Sequence, residues 1–259
     1  MSLTNKITLT ITTCKRFSLF ERTINSFYNN CVDRNLISHI IHYDDSSSDF
    51  ERKKMFLLLK KLFPNVMLTS ITFEPLSFDT KKRHLEIMKI WKTNNENFNF
   101  DYVFHLEDDW LFQQNFKLLD GISLLTDNND VALVGYSWEK KIFPPKLFTP
   151  RIIGDFWEWY YSEKHKLNES LFVDEVEIKY LPEGYWVNYI NWPYFGFRPA
   201  IHDIKKLKTI NNFNGDMDSF ELEFALRFAK KYKSFLHLER ICYHIGTDNS
   251  SYNLNNSER

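Results

Sequence analysis

Along the first half of the chain the hydrophobic positions switch repeatedly between two periods. Ile7 to Thr13 is dense in β-branched side chains and predicts a strand. Phe17, Phe20, Ile24 and Phe27 then recur at helical spacing and predict a helix from Phe17 to Asn30. The alternation continues with a strand at Ile37 to Tyr43 and a helix carrying Met55, Leu58, Leu59 and Leu62, capped by Ser48 or Asp49. Next come a strand at Val66 to Thr72, a helix at Thr80 to Thr93 and a short apolar strand at Tyr102 to Leu106. A helix near Gln114 to Leu125 and a strand at Val131 to Tyr136 complete the run. Such alternation predicts an α/β doubly wound, mostly parallel sheet with helices on both faces. Ligands bind at the carboxyl ends of its strands.

After Ser137 the rhythm changes. Residues 138–200 hold six prolines, many aromatics and short β-type stretches. An apolar helix near Ser219 to Tyr232, a strand around Phe235 to Leu238 and a polar tail over 247–259 follow. No repeat or low-complexity linker interrupts the chain, so one continuous domain with a variable second half is expected.

Composition narrows the classes. With 33 basic and 34 acidic residues the formal charge is -1, without the basic excess of a general nucleic-acid binder. The aromatic share of 17% supplies buried area or stacking surfaces. Part of it belongs with the richness in Lys, Asn and Ile that an AT-rich genome gives. Cys14, Cys31 and Cys242 are odd in number and widely spaced, which speaks against a disulfide framework or zinc site and suits a reducing, cytoplasmic setting. No apolar run nears the roughly 20 residues of a membrane span, and residues 1–20 hold no apolar signal core.

The chemistry concentrates at strand ends. Glu107, Asp108 and Asp109 directly follow an apolar strand. Adjacent carboxylates repel and lose solvation, so they call for a counter-charge, and a hard divalent cation is one solution. A solvated turn is the other. Asp44 and Asp45 end the second strand, where a carboxylate can accept from a base imide N–H.

These segments, in this order, resemble the inverting, family-two-like GT-A glycosyltransferases. Thr12-Thr13-Cys14-Lys15-Arg16 is similar to their opening nucleotide-binding turn, and Asp44 to Asp49 to their acidic-serine loop. Glu107-Asp108-Asp109-Trp110 is similar to their metal motif, and Lys82-Arg83-His84 to their basic nucleotide-contacting segment. Each motif alone is weak; four in order are stronger.

The resemblance implies a GT-A domain over 1–246, with a nucleotide-binding half to 136 and an acceptor and catalytic half after it. It assigns Thr12, Thr13, Arg16, Asp44, Asp45, Arg83, Glu107 and Asp108 to a nucleotide-sugar donor, UDP-sugar favoured. Glu107 departs from an Asp-first pattern. The resemblance gives Asp109 and His244 to Mn²⁺ or Mg²⁺, and Glu221 to the general base with Asp218 as its rival. The loop around Trp192, Tyr194 and Phe195 falls to the acceptor. A charged first helical turn explains Asp218 and Glu221 equally, a core-packing turn explains the aromatic loop, and a lone His is more often a hydrogen-bonded residue than a ligand. His237 lies inside an apolar strand and is the poorer candidate.

The implied reaction is metal-assisted displacement with inversion in glycan biosynthesis, retention staying open. A sugar nucleotidyltransferase, a P-loop enzyme or a dinucleotide enzyme needs glycines after the first strand, and residues 11–20 have none. A nuclease lacks its basic surface. The non-enzyme alternative is a sugar- or nucleotide-sugar-binding module that kept the fold without turnover.

Overall fold

The computed structural model describes residues 7–73, 80–93, 100–136, 177–181, 184–188, 195–210, 224–225, 227–228, 231–237 and 241–246. The expected alternation is present: β1 (Ile7–Thr13), α1 (Phe17–Asn30), β2 (Ile37–Asp45), α2 (Asp49–Leu62), β3 (Met67–Phe73), α3 (Thr80–Lys92) and β4 (Tyr102–Glu107). There follow β5 (Trp110–Phe112), α4 (Leu118–Asp127), β6 (Val131–Gly135), β7 (Glu177–Leu181), β8 (Gly184–Asn188), β9 (Ala200–Asp203), the short α5 (Ile204–Leu207), β10 (Lys233–His237) and β11 (Cys242–His244).

Local chemistry explains the boundaries. Ser48 starts α2 with a capping box, its hydroxyl accepting from Glu51 N while the Glu51 carboxylate accepts from Ser48 N. The helix expected from Gln114 begins instead at Leu118. There the Asp33 carboxylate, from a distant turn, accepts from Leu118 N and Leu119 N. That capping group is invisible to local periodicity.

Among the described residues nine strands form one sheet in the order β3-β2-β1-β4-β9-β6-β10-β8-β7. β1, β2, β3 and β4 pair in parallel, as do β6 and β10. The mostly parallel expectation holds, and the antiparallel exception in the middle is β9, which runs against both β4 and β6. β9 is four residues long and leaves a proline-rich stretch, so it carries no period of its own. It is nonetheless wholly buried.

The sheet separates two cores. On one face Leu9, Ile11, Phe20, Phe27, Leu59 and Phe104 pack together; on the other Tyr43, Trp91, Val103, Phe195, Phe224 and Phe228 do. Among the described residues no helix is long and apolar enough to cross a membrane. All three cysteines are buried.

Among the described residues four histidines are buried in the sheet: His39, His42, His105 and His202. Burial depresses each of them, His42 to about 4 and His202 to about 3. The folded protein therefore holds these rings neutral, while the unfolded chain protonates them below about pH 6.5. Stability present at neutral pH is lost as pH falls from there towards the folded values. Chemical denaturation near pH 7.5 and about pH 5 should show a loss on the order of 2 kcal/mol for a ring as shifted as His42. An unchanged midpoint would contradict neutral burial.

Candidate functional site

The parallel strands β1, β2 and β4 end side by side, and their carboxyl ends open into one cleft. Thr12, Thr13, Cys14 and Arg16 line it from β1 and the turn that follows. Tyr43 and Asp45 come from β2, Phe73 from β3, His84 and Ile87 from α3, and Glu107 and Asp108 from β4. Segments far apart in sequence meet because parallel pairing puts successive strand ends in one row.

Two turns around the cleft are strained and brace each other. Lys15 and Ser46 adopt left-handed backbone with φ of 51° and 63°, a region costly for residues with a Cβ. Lys15 N donates to Ser47 Oγ at 2.9 Å, and Ser47 N donates to Asp44 Oδ2 at 3.2 Å. Asp44 also accepts from Thr13 Oγ1 at 3.2 Å and from Arg52 at 3.4 Å. Its carboxylate is fully buried. The oxygens of Asp44 hold the loop, and Asp45 lines the cleft beside it.

The acidic cluster is tied together by Arg16. The guanidinium bonds to both oxygens of Asp108, with Nε to Oδ2 at 3.3 Å, and Nη1 reaches Asp109 Oδ2 at 2.9 Å. Cys14 N donates to Asp108 Oδ2 at 3.1 Å. Thr23 Oγ1 donates to the Asp108 carbonyl at 2.8 Å and accepts from Trp110 N at 3.1 Å, fixing the backbone between them. Glu107, on the cleft wall, accepts from the Trp110 indole at 2.9 Å.

His244 arrives on a separate ribbon. β11 pairs antiparallel with β5, which sets Trp110 opposite His244. His244 Nε2 lies 3.1 Å from Asp109 Oδ2, and Ile245 N donates to the Asp109 carbonyl at 2.8 Å. At Gly246 a Cβ would stand 2.9 Å from Asp109 Cβ, so only glycine lets the chain pass so near the carboxylate.

Burial dominates the electrostatics of Asp108, lifting it to about 7 against the pull of Arg16. For Asp109 burial works the same way, yet the His244 hydrogen bond and Arg16 outweigh it and hold the carboxyl below its usual range. The hydrogen bond to Asp109 in turn raises His244. Among the described residues no three metal-ligating side chains converge. A hard carboxylate oxygen and an imidazole nitrogen at 3.1 Å nonetheless fit one small divalent cation that takes its other ligands from phosphate and water. Arg16 is the positive charge such an ion would meet there.

Several expected residues fall elsewhere. Glu221, Asp218, Trp192 and Tyr194 lie outside the described residues, and so does the side chain of Arg83, whose backbone belongs to α3. Phe195 is fully buried, with its ring edge-on to Phe224 at 4.5 Å and 5.6 Å from His202, contacts that suit the core-packing alternative. Sequence reasoning missed Tyr43 and Phe73, whose rings stack at 6.1 Å with 8° between planes on the cleft wall. It also missed Thr23, whose one signal is a polar side chain on the apolar stripe of α1.

No family model matches the chain, and no curated protein matches it. The fold does match solved structures. It is similar to the mannosyltransferase PcManGT from Pyrobaculum calidifontis in complex with GDP-Man and Mn²⁺, with TM-score 0.58, 14% identity, and coverage of 96% of this chain and 59% of that one. It is similar to S. aureus TarS 1-349, with TM-score 0.56, 12% identity, and coverage of 93% and 60%. GalNAc-T7 with UDP, GalNAc and Mn²⁺ matches with TM-score 0.57, 8% identity, and coverage of 94% and 44%. The chain thus has the fold of the GT-A nucleotide-sugar glycosyltransferases. It spans about three fifths, or less, of the length of these structures.

Arg16→Ala would leave two adjoining carboxylates, one of them fully buried, without their counter-charge. Breaking a buried pair from one side costs about 3 kcal/mol. Urea denaturation should show a loss of that order, partly restored by divalent cation. A midpoint equal to that of the parent chain would refute the role given to Arg16.

Proposed function

We propose that this chain is a glycosyltransferase that moves a sugar from a nucleoside-diphosphate donor, UDP-sugar by preference, to an acceptor hydroxyl, with inversion at the anomeric carbon. One observation carries the reading. On a GT-A sheet, the Thr12 to Arg16 turn, Asp45 and the Asp108–Asp109 pair with its His244 partner converge at the carboxyl ends of adjacent strands.

In this reading Asp45 accepts from the base imide, beside the stacked Tyr43 and Phe73 rings. Arg83 and the β1 turn, through Thr12, Thr13 and Arg16, contact the donor. Asp108 faces its ribose or sugar. Asp109 and His244 would hold Mn²⁺ or Mg²⁺, whose chemistry is to neutralise charge on the leaving diphosphate. Glu221 takes the proton from the attacking hydroxyl, with Asp218, three positions earlier in the sequence, as its rival. Trp192 and Tyr194 offer ring faces to the acceptor. The complexes of PcManGT with GDP-Man and of TarS with UDP-GlcNAc support a nucleotide-sugar donor, and the Mn²⁺ of PcManGT and GalNAc-T7 supports the cation. Release of sugar from a set of UDP-sugars, with and without Mn²⁺, tests the function directly, and a binding module would release none.

Calorimetry with UDP and GDP, each with and without Mn²⁺, checks the donor site. UDP should bind more tightly than GDP, and Asp109→Ala should abolish the Mn²⁺-dependent part while leaving the fold intact. Equal affinity in the variant would remove the metal assignment; preference for GDP would remove the base assignment.

Glu221→Gln should cut turnover roughly 100- to 10,000-fold with donor affinity near normal, since this carboxylate holds no phosphate. Asp218→Asn should do less. A larger loss in Asp218→Asn moves the base there, and a product with retained configuration by NMR rules out direct displacement.

A further inference from the structure

α2 covers one face of the sheet with Met55 and Leu59, which are buried against the core. Its opposite side is unusual. Among the described residues five large hydrophobics are exposed, and three of them lie on this helix: Phe50 at 67%, Leu57 at 56% and Phe56 at 39%. At 3.6 residues per turn, Phe50, Lys53, Lys54, Leu57 and Lys61 share the outward face, with Phe56 and Lys60 along its flank.

The charge on that face has one sign. The helix's two acids stand in its first turn and are engaged there, Glu51 in the capping box and Asp49 with Arg52. Arg52 is likewise committed, to Asp49 and Asp44. Four lysines remain on the outer surface. Two of them set their ammonium groups over exposed rings, Lys54 at 4.5 Å from Phe50 and Lys60 at 5.9 Å from Phe56. Each such pair puts an apolar ring and a cation next to each other on the exposed surface.

Protein–protein interfaces are depleted in lysine and gather their apolar groups at a central core. Here the apolar tips are interspersed with lysines along a helix. That arrangement matches a layer of anionic headgroups above an acyl boundary, where ammonium groups meet phosphates and Phe or Leu tips enter the boundary. We propose that the outer face of α2 docks on an anionic phospholipid surface. Lys53, Lys54, Lys60 and Lys61 contact headgroups, and Phe50, Phe56 and Leu57 dip below them.

The test is co-sedimentation of the full chain with vesicles of phosphatidylcholine alone and of phosphatidylcholine with phosphatidylserine. Binding is expected only with the anionic vesicles and should weaken as salt rises. Each lysine near such a surface is worth about fivefold in affinity. Lys53→Ala, Lys60→Ala and Lys61→Ala together should therefore weaken binding about 100-fold. Phe50→Ser with Leu57→Ser should weaken it while leaving the salt dependence in place. All five positions are exposed, and an unchanged circular dichroism spectrum confirms that the variants fold. Absence of binding to either vesicle, or undiminished binding by the triple lysine variant, overturns the proposal. So does self-association of the chain that Phe50→Ser abolishes in the absence of vesicle binding, which would give the face to a second copy.

Discussion

Two neighbouring carboxylates, Asp108 and Asp109, are buried at the end of a central strand, and much of the surrounding structure answers the cost of keeping them there. Water is excluded from Asp108, so its charge has to be met by the protein: by the Arg16 guanidinium and by the backbone N–H of Cys14. Both come from the turn after β1, whose left-handed Lys15 aims the segment back across the strand ends. Asp109 is met from the other side by His244, and the β5–β11 ribbon exists at the point where that histidine has to be delivered. Removing any of these supports leaves charge in a place that cannot hydrate it.

The same logic orders the second loop. Asp44 is buried and spends its oxygens on Thr13, Ser47 and Arg52, which leaves Asp45 as the carboxylate on the cleft wall. A pair of identical residues thereby divides into one that holds the loop and one that faces the cleft. Ser47 carries the bracing to Lys15, so the two turns act as one frame.

Much of this was legible in the chain. The periodicity located β1 and α1 at their observed limits, because a two-sided buried strand and a one-sided amphipathic helix impose different repeats on their own residues. Clusters at strand ends pointed to the cleft, since in parallel sheets those ends gather on one edge. What periodicity could not show was β9, four residues placed antiparallel between β4 and β6. Nor could it show the late start of α4, fixed by Asp33 from 85 positions away. An aromatic loop suits an acceptor surface and a core-packing turn alike in sequence, and for Phe195 it is the contacts with Phe224 and His202 that show packing.

By itself the sequence determined the alternation of strands and helices, the acidic strand ends and the absence of a glycine-rich phosphate loop. These are local properties, written in residue type and spacing. The tertiary structure decided which acid in each loop faces the cleft, that Arg16 is the common partner of Asp108 and Asp109, and that Gly246 must lack a side chain beside Asp109. Those choices depend on which groups water can reach and which oppositely charged atoms lie within reach. Both are fixed only when segments distant in the chain are packed together.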